Sequence, residues 1–369
     1  MKTISYVFIS GRKDKFYSGT VEAKEFYYGL TYFSDLGYKI NIIEFDDDLT
    51  KPISFLRIFD KILNKLFSIP SYTHKLNSIS NFKKLKDSDN IILVSESTGY
   101  SALFMLFFLR NKSSRVSLFV MGMYSKKIRF RIFRFIHNFF IRLLVLLIDD
   151  VFILGKGEYN KAIKFHKKSK KLYYFPFCID IDFWKNTNNK NITANEEVLF
   201  VGNDGNRDFE LLTKITRKLE NLNFRLISEN ELVLKANFKN TKTHKGRWGS
   251  QEITDLQLKN YYLNSRFVIL PLKNSTQPSG QSVSLQAMSL GVPVIISNTD
   301  GFWDRDAYED NKSIIFVNSD SLDDWVKSIS ELYDNSEALK NISERSSEIV
   351  KKDFSLDNFN KMLSDILNI

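Results

Sequence analysis

The residues best suited to chemistry lie in one run, 265–300. Phe267–Leu270 is a short apolar strand that ends at Pro271, and Gln277-Pro-Ser-Gly280 is a turn. Val283, Leu285, Met288 and Leu290 then mark one face of a helix that Gly291 stops, and Pro293-Val-Ile-Ile296 is the next buried strand. At the head of that helix, Ser279, Gly280, Gln281 and Ser282 present backbone N–H groups that the helix itself cannot pair, at the positive end of its dipole. Such an end binds phosphate. Gly280 also lets backbone approach a ligand with no Cβ in the way. An ordinary βαβ turn uses the same residue types, so on geometry alone both readings stand.

The elements around this run alternate strand and helix. In the first half, Ile4–Ile9 reads as a strand, Ser18-Gly-Thr20 as the opening of a helix through Phe33, and Lys39–Phe45 as a second strand. Ile91–Ser95 and Arg115–Met121 follow, and Asp149–Leu154 is the last strand of this half. In the second half, Glu197–Val201 leads into the loop Gly202-Asn-Asp-Gly-Asn-Arg-Asp208, and Leu222–Ile227 and the helix Asp255–Asn264 precede the key run. Amphipathic helices over Asp323–Leu332, Ala338–Val350 and Phe354–Ile369 complete the chain. This alternation is that of doubly wound α/β domains.

At 369 residues the chain is long enough for two such domains. One cysteine, Cys178, excludes an internal disulfide or a multi-cysteine metal site and suits a reducing compartment. Met1–Ser10 is too short in apolar length for a secretory signal, and Phe139–Ile148, broken by Arg142, falls short of the roughly 20 apolar residues that span a bilayer. Charge is uneven: residues 1–183 hold 30 Lys+Arg against 17 Asp+Glu, the remainder 23 against 26. Such a basic half points to an anionic partner, nucleic acid or membrane lipid. Within it, residues 126–142 read as a helix with Lys127, Arg131 and Arg134 on one face and Ile128, Ile132, Phe135, Ile136 and Phe139 largely opposite. Phe side chains beside a basic face suit an anchor at an anionic membrane surface, and a core-packed helix with a solvated basic face would look the same. The charge asymmetry favours membrane contact.

Taken in order, these features resemble glycosyltransferase family 4 and its GT-B relatives, the glycosyl transferases group 1. Gln277-Pro-Ser-Gly280 and Gln286-Ala-Met-Ser-Leu-Gly-Val-Pro-Val294 are similar to the family's Glu-x-Phe-Gly and Glu-Ala-Met-Ala-x-Gly-x-Pro-Val, with glutamine in place of both glutamates and one more residue between them. An amide still hydrogen-bonds ribose or sugar hydroxyls, without a carboxylate's charge. The loop with Gly202, Asn203 and Gly205 resembles the family's Gly-Arg-x(4)-Lys turn, which makes Arg207, with Lys273 as a second cation, the implied ligand of the donor diphosphate. By the same resemblance Trp248 falls in the base-contacting loop, and Gly19 and Thr20 in a glycine turn facing the donor phosphates. The family's histidine near the reacting carbon falls at Met121-Gly122-Met123, so Gly122, Met123 and the strand-end Glu96 are the acceptor-side candidates. Phe175-Pro-Phe-Cys-Ile-Asp-Ile-Asp-Phe183 resembles the family's interdomain segment.

The resemblance implies two Rossmann-like domains facing a cleft: an acceptor-binding domain, 1–174, joined by a C-terminal helix, 355–369, that crosses back to it; a linker, 175–186; and a nucleotide-sugar-binding domain, 187–354. It implies hexosyl transfer from a nucleotide sugar, UDP-sugar favoured, to a hydroxyl of a lipid-linked or cell-surface glycan. Retention of configuration, no metal or other cofactor, and a cytoplasmic site with a peripheral seat on the membrane's inner face complete the expectation. Three alternatives remain. A nucleotide-sugar epimerase of the same fold needs neither the basic half nor the amphipathic helix. An inactive homologue follows if the two glutamines abolish function. A nucleic-acid-binding protein would use the charge, but no recognised module for it is present.

Overall fold

Asn90-Ile-Ile-Leu93 and Asp150-Val-Phe-Ile153 are buried along their whole length, as strands of a parallel sheet covered on both faces must be. The computed structural model describes residues 2–45, 54–110, 113–187, 194–236, 238–246, 252–318 and 320–369. Two units divide the chain, Met1–Phe175 with Asn360–Ile369, and Pro176–Phe359.

The first unit holds strands β1 (Thr3–Val7), β2 (Lys39–Ile43), β3 (Asn90–Leu93), β4 (Arg115–Val120), β5 (Asp150–Ile153) and β6 (Leu172–Tyr174), in the order β2-β1-β3-β4-β5-β6. Its helices are α1 (Lys13–Tyr17), α2 (Leu30–Asp35), α3 (Ser54–Phe67), α4 (Thr73–Leu76), α5 (Ile79–Lys86), α6 (Glu96–Leu109), α7 (Arg131–Leu146) and α8 (Lys156–Phe165). The second unit holds β7 (Glu197–Val201), β8 (Asn223–Ile227), β9 (Thr241–His244), β10 (Ser265–Leu270), β11 (Val294–Asn298) and β12 (Ile315–Asn318), in the order β12-β11-β10-β7-β8-β9. Its helices are α9 (Phe209–Lys218), α10 (Glu231–Lys235), α11 (Asp255–Leu263), α12 (Gln281–Ser289), α13 (Leu322–Asp334) and α14 (Ser336–Asp353). A last helix, α15 (Leu356–Leu367), runs into the C-terminal stretch that belongs to the first unit. There a Cβ at Gly29 would meet Leu363 Cδ2 at 3.0 Å, so only glycine leaves room for that helix.

Every strand pairing in both sheets is parallel. Each unit has its own core, with Leu93, Leu118 and Leu144 in the first and Phe200, Phe224, Phe267 and Trp325 in the second.

Three expectations need correction. No helix runs from Ser18 to Phe33: α1 precedes that stretch, and a 3₁₀ turn at Glu25–Tyr27 is cut from α2 by left-handed backbone at Tyr28 and Gly29. The first sheet ends on β6 rather than on β5, because the short Leu-Tyr-Tyr run carries only one buried side chain and so lacks an apolar pattern of its own. The basic helix begins at Arg131, which leaves Lys127 before it rather than on its face.

Candidate active site

In the second sheet, connections from β7 run outward through β8 to β9, and those from β10 run the other way through β11 to β12. The strand order reverses between β7 and β10, and in open α/β sheets ligands settle outside the carboxyl ends at such a point. The loops that leave these two strands, 202–208 and 271–280, are stitched together there. Arg207 pairs with Leu272 in an antiparallel bridge. Asp208 N–H donates to the Pro271 carbonyl at 2.9 Å, and Lys273 N–H to that of Asn206 at 2.8 Å. Asn206 Nδ2 donates to Ser279 Oγ at 3.0 Å, whose own hydroxyl donates to Asp204 Oδ1 at 3.2 Å. Asp208 then caps α9 by accepting from Leu211 N–H.

This stitching turns Arg207 inward, to 3% exposure. A Cβ on Gly202 would run into Arg207 Nε, and one on Gly280 would meet its Nη1 at 3.3 Å, so the guanidinium lies between two glycines. Nε and Nη1 have no hydrogen-bond partner among the described residues, and the nearest charge is Asp204 Oδ2, 3.4 Å from Nη1. Burial lowers the Arg207 pKa, against the opposing pull of Asp204. A guanidinium buried with donors unused is costly. A ligand with anionic oxygens would supply what the fold leaves out.

Gly280, in left-handed backbone at φ +79°, heads α12, and no side chain caps that helix. The site therefore combines a buried cation with an uncapped helix start. Of the other donor-side residues, Ser279 and Gln277 are half-buried on the loop, Ser282 is half-buried in the first turn, and Gln281 is buried. Gln286 is buried too, and its Oε1 accepts from Tyr262 O–H at 3.1 Å, a setting in which a neutral amide is tolerated more easily than a carboxylate. Asn203 is spent on the fold, its Nδ2 donating to the Gly246 carbonyl at 2.7 Å and its Oδ1 accepting from Ser228 O–H at 3.0 Å. Gly205 and the Lys273 side chain are exposed. Trp248 lies outside the described residues. Asp204 and Asn206 went unremarked in the sequence, although two such turn-forming residues between glycine and arginine were a signal of a tight loop.

The first sheet reverses between β1 and β3. The residues at that end of β1 are Gly11, at φ +79°, and Arg12, whose N–H donates to Glu44 Oε1 at 2.6 Å. Gly19 and Thr20 lie beyond α1 and are exposed, because the chain winds into helix before reaching them. Glu96 stands in the first turn of α6, half-buried, with Oε2 accepting from Met121 N–H at 3.3 Å, and burial raises its pKa. Gly122 N–H and Tyr124 N–H both donate to Glu158, at 2.8 Å each. Met123 is buried in the core and presents nothing to an acceptor. All four histidines have internal partners: His74 with Asp60, His137 with the Phe67 carbonyl, His166 with Tyr124 and His244 with Arg225.

Glu158 was missed in the sequence; it follows Gly155-Lys-Gly157 but shows its role only through burial. Fully buried, and next to Glu96, it has its pKa pushed up to about 8. From its ordinary value of 4.5 up to about 8, the folded chain therefore holds a proton that the unfolded chain has lost. Stability should fall as pH rises through that window, by at most about 1.4 kcal/mol per pH unit. Melting curves of wild type and Glu158→Gln from pH 5 to 9 test this: the wild type should lose ground to the variant as pH rises, and parallel curves would mean that Glu158 titrates as an ordinary carboxyl.

On α7, Arg131 and Arg134 are exposed beside Ile132, Phe135 and Phe139, which are exposed too. Among the described residues no helix is long and apolar enough to cross a membrane.

Residues 195–335 match the family described as glycosyl transferases group 1. Among solved structures, a glycosyltransferase from Rickettsia africae is similar over 100% of this chain and 98% of its own, at 13% identity and a TM-score of 0.66. A sucrose-phosphate synthase from Thermosynechococcus elongatus is similar over 100% of this chain and 98% of its own, at 13% identity and a TM-score of 0.71. Anabaena HepE, solved with UDP-glucose, is similar over 100% of both chains at 11% identity and a TM-score of 0.70. No curated protein matches the chain in sequence. The chain therefore shares its fold, two parallel α/β units, with these solved structures over its whole length. The residues that match the group 1 glycosyl transferase family lie within the second unit.

Proposed function

We propose that the protein transfers a hexosyl group from a UDP-sugar to a hydroxyl of a lipid-linked or cell-surface glycan. The observation that carries this reading is the buried Arg207 guanidinium, with unused donors, beside the uncapped head of α12. Its support from comparison is that Anabaena HepE, of the same fold, was solved with UDP and with UDP-glucose. In the reaction the bond between the anomeric carbon and the diphosphate oxygen breaks, and negative charge grows on the departing diphosphate. Fixed positive groups lower that barrier most when they are already in place, and Arg207 with the α12 N–H groups would do so. The acceptor oxygen bonds to the anomeric carbon, its proton passes to the departing phosphate oxygen, and the sugar keeps its configuration. Lys273 would add a second, mobile cation, and Gln277 and Ser279 would contact sugar or diphosphate. Glu96 is the acceptor-side group in this reading. No metal is required, since the cation and the helix head carry the charge. The basic, Phe-rich surface of α7 would rest on the anionic inner face of the membrane.

A thermal-shift panel of UDP, GDP, ADP and dTDP tests the donor site. Binding at about 100 times Kd adds about 2.7 kcal/mol, or roughly 5–10 °C for a domain of this size. UDP should give that shift with EDTA present as well as without. No shift from any of the four would remove the donor reading.

A further inference from the structure

The helices on one side of the first sheet enclose a groove of about 620 Å³, lined by Leu56 and Phe59 of α3, Ile79 of α5, Phe104 and Phe108 of α6 and Phe140 of α7. That size is ordinary for a ligand site. Apart from the Tyr100 hydroxyl, its polar lining groups are occupied: Ser71 Oγ donates to Asp60 at 2.6 Å, Asn77 Nδ2 to the Thr73 carbonyl at 2.9 Å, and Ser78 Oγ accepts from Asn81 N–H at 3.0 Å. What remains is hydrocarbon surface open to solvent. Phe104 is 63% exposed and Phe108 58%, their ring centroids 5.0 Å apart, and Phe59 on α3 is 39% exposed. Contiguous exposed apolar surface of this kind marks an interaction site.

The charge around it says what kind. Every charged side chain exposed on α3 and α7 is basic: Arg57, Lys61 and Lys65 on the first, Arg131, Arg134 and Arg142 on the second. The two helices touch, with Phe67 and Phe133 ring centroids 5.5 Å apart. A second copy of this face would bring like charges together, whereas an anionic lipid complements it. At the groove's inner end stands Tyr100, whose buried hydroxyl has no hydrogen-bond partner among the described residues and lies within electrostatic reach of Glu96. The groove thus leads from the exposed basic and apolar surface toward the acceptor-side carboxylate.

We propose that this groove holds the hydrocarbon chain of an anionic lipid acceptor, with its anionic group at the basic side chains of α3 and α7 and its acceptor hydroxyl toward Glu96. This deepens the acceptor reading above and rests on it for the role of the lipid, while binding of the chain is measured without it. The probe is a fluorescent long-chain fatty acid, used below the concentration at which it aggregates and titrated into the full chain. Wild type should bind it saturably at one per chain, and each methylene removed should weaken binding about fourfold. Phe59→Glu and Phe104→Glu should each weaken it at least tenfold. Phe135→Glu, on the exposed face of α7 and outside the groove, should keep probe binding and lose flotation with anionic vesicles. All three variants should keep the UDP shift, which separates failure here from failure of the donor site. No saturable binding, binding indifferent to chain length, or equal loss in Phe135→Glu would overturn the proposal. So would a wild-type dimer in sedimentation that Phe104→Glu dissociates.

Discussion

Replacing Arg207 by methionine should lower transfer at least about 100-fold and abolish the UDP shift, while the melting temperature of the free protein stays the same or rises. The first half follows from preorganisation: removing one fixed donor from a group that stabilises developing negative charge costs about 10²–10³ in rate. The second half follows from burial. The guanidinium is 3% exposed with two nitrogens unpaired, so in the free protein it bears a desolvation cost that its single distant carboxylate repays poorly. Exchanging buried charges for apolar groups of similar volume is often neutral or stabilising by about 1–4 kcal/mol. Activity and stability should therefore move apart. A variant that loses both, melting several degrees lower without ligand, would show Arg207 to be a structural bolt between the two loops and would remove it from the diphosphate site. Measuring kcat/KM and Tm on the same preparations decides it.

Gly202→Ala should approach the same loss of activity without touching any ionisable group. The added methyl would occupy the place of Arg207 Nε, so the guanidinium must leave its position between the two glycines. Backbone strain is not involved, since Gly202 is not among the glycines in left-handed backbone. Gly280 differs, for at φ +79° an alanine there adds about 1–2 kcal/mol of conformational cost to a contact with Arg207 Nη1 at 3.3 Å. The test is a double-mutant cycle. If both substitutions act through one guanidinium, Gly202→Ala combined with Arg207→Met should be no worse than Arg207→Met alone. Additive losses would mean that Gly202 serves the site by another route.

Much of this molecule could be read from local pattern. Interior strands such as Glu197–Val201 carry enough β-rich apolar residues to declare their own limits, and the turn at Gly280, the helix after it and the loop from Gly202 to Asp208 announce themselves through residue types that only certain backbones accept. The order of these pieces carries the resemblance to a family. The edge strands β6, β9 and β12 were silent, because Thr-Lys-Thr-His, for instance, buries none of its side chains and is a strand only where β8 offers it a ladder. The candidate site divides along the same line. Sequence by itself determined that a glycine-headed helix, a glycine loop with one arginine and a basic amphipathic helix exist, since each depends on neighbours within a few residues. Only the tertiary structure decided that loops some 70 residues apart are stitched at one sheet reversal, so that Arg207 turns inward while Lys273 faces water. It likewise decided that Asn203 and Met123 serve the fold, that Gly11 and Arg12 rather than Gly19 and Thr20 lie in the loop between the first strand and α1, and that Glu158 is a buried acid. The physical reason is common to all of these: burial and partnership are set by which strands lie side by side, and that order is a property of the whole sheet.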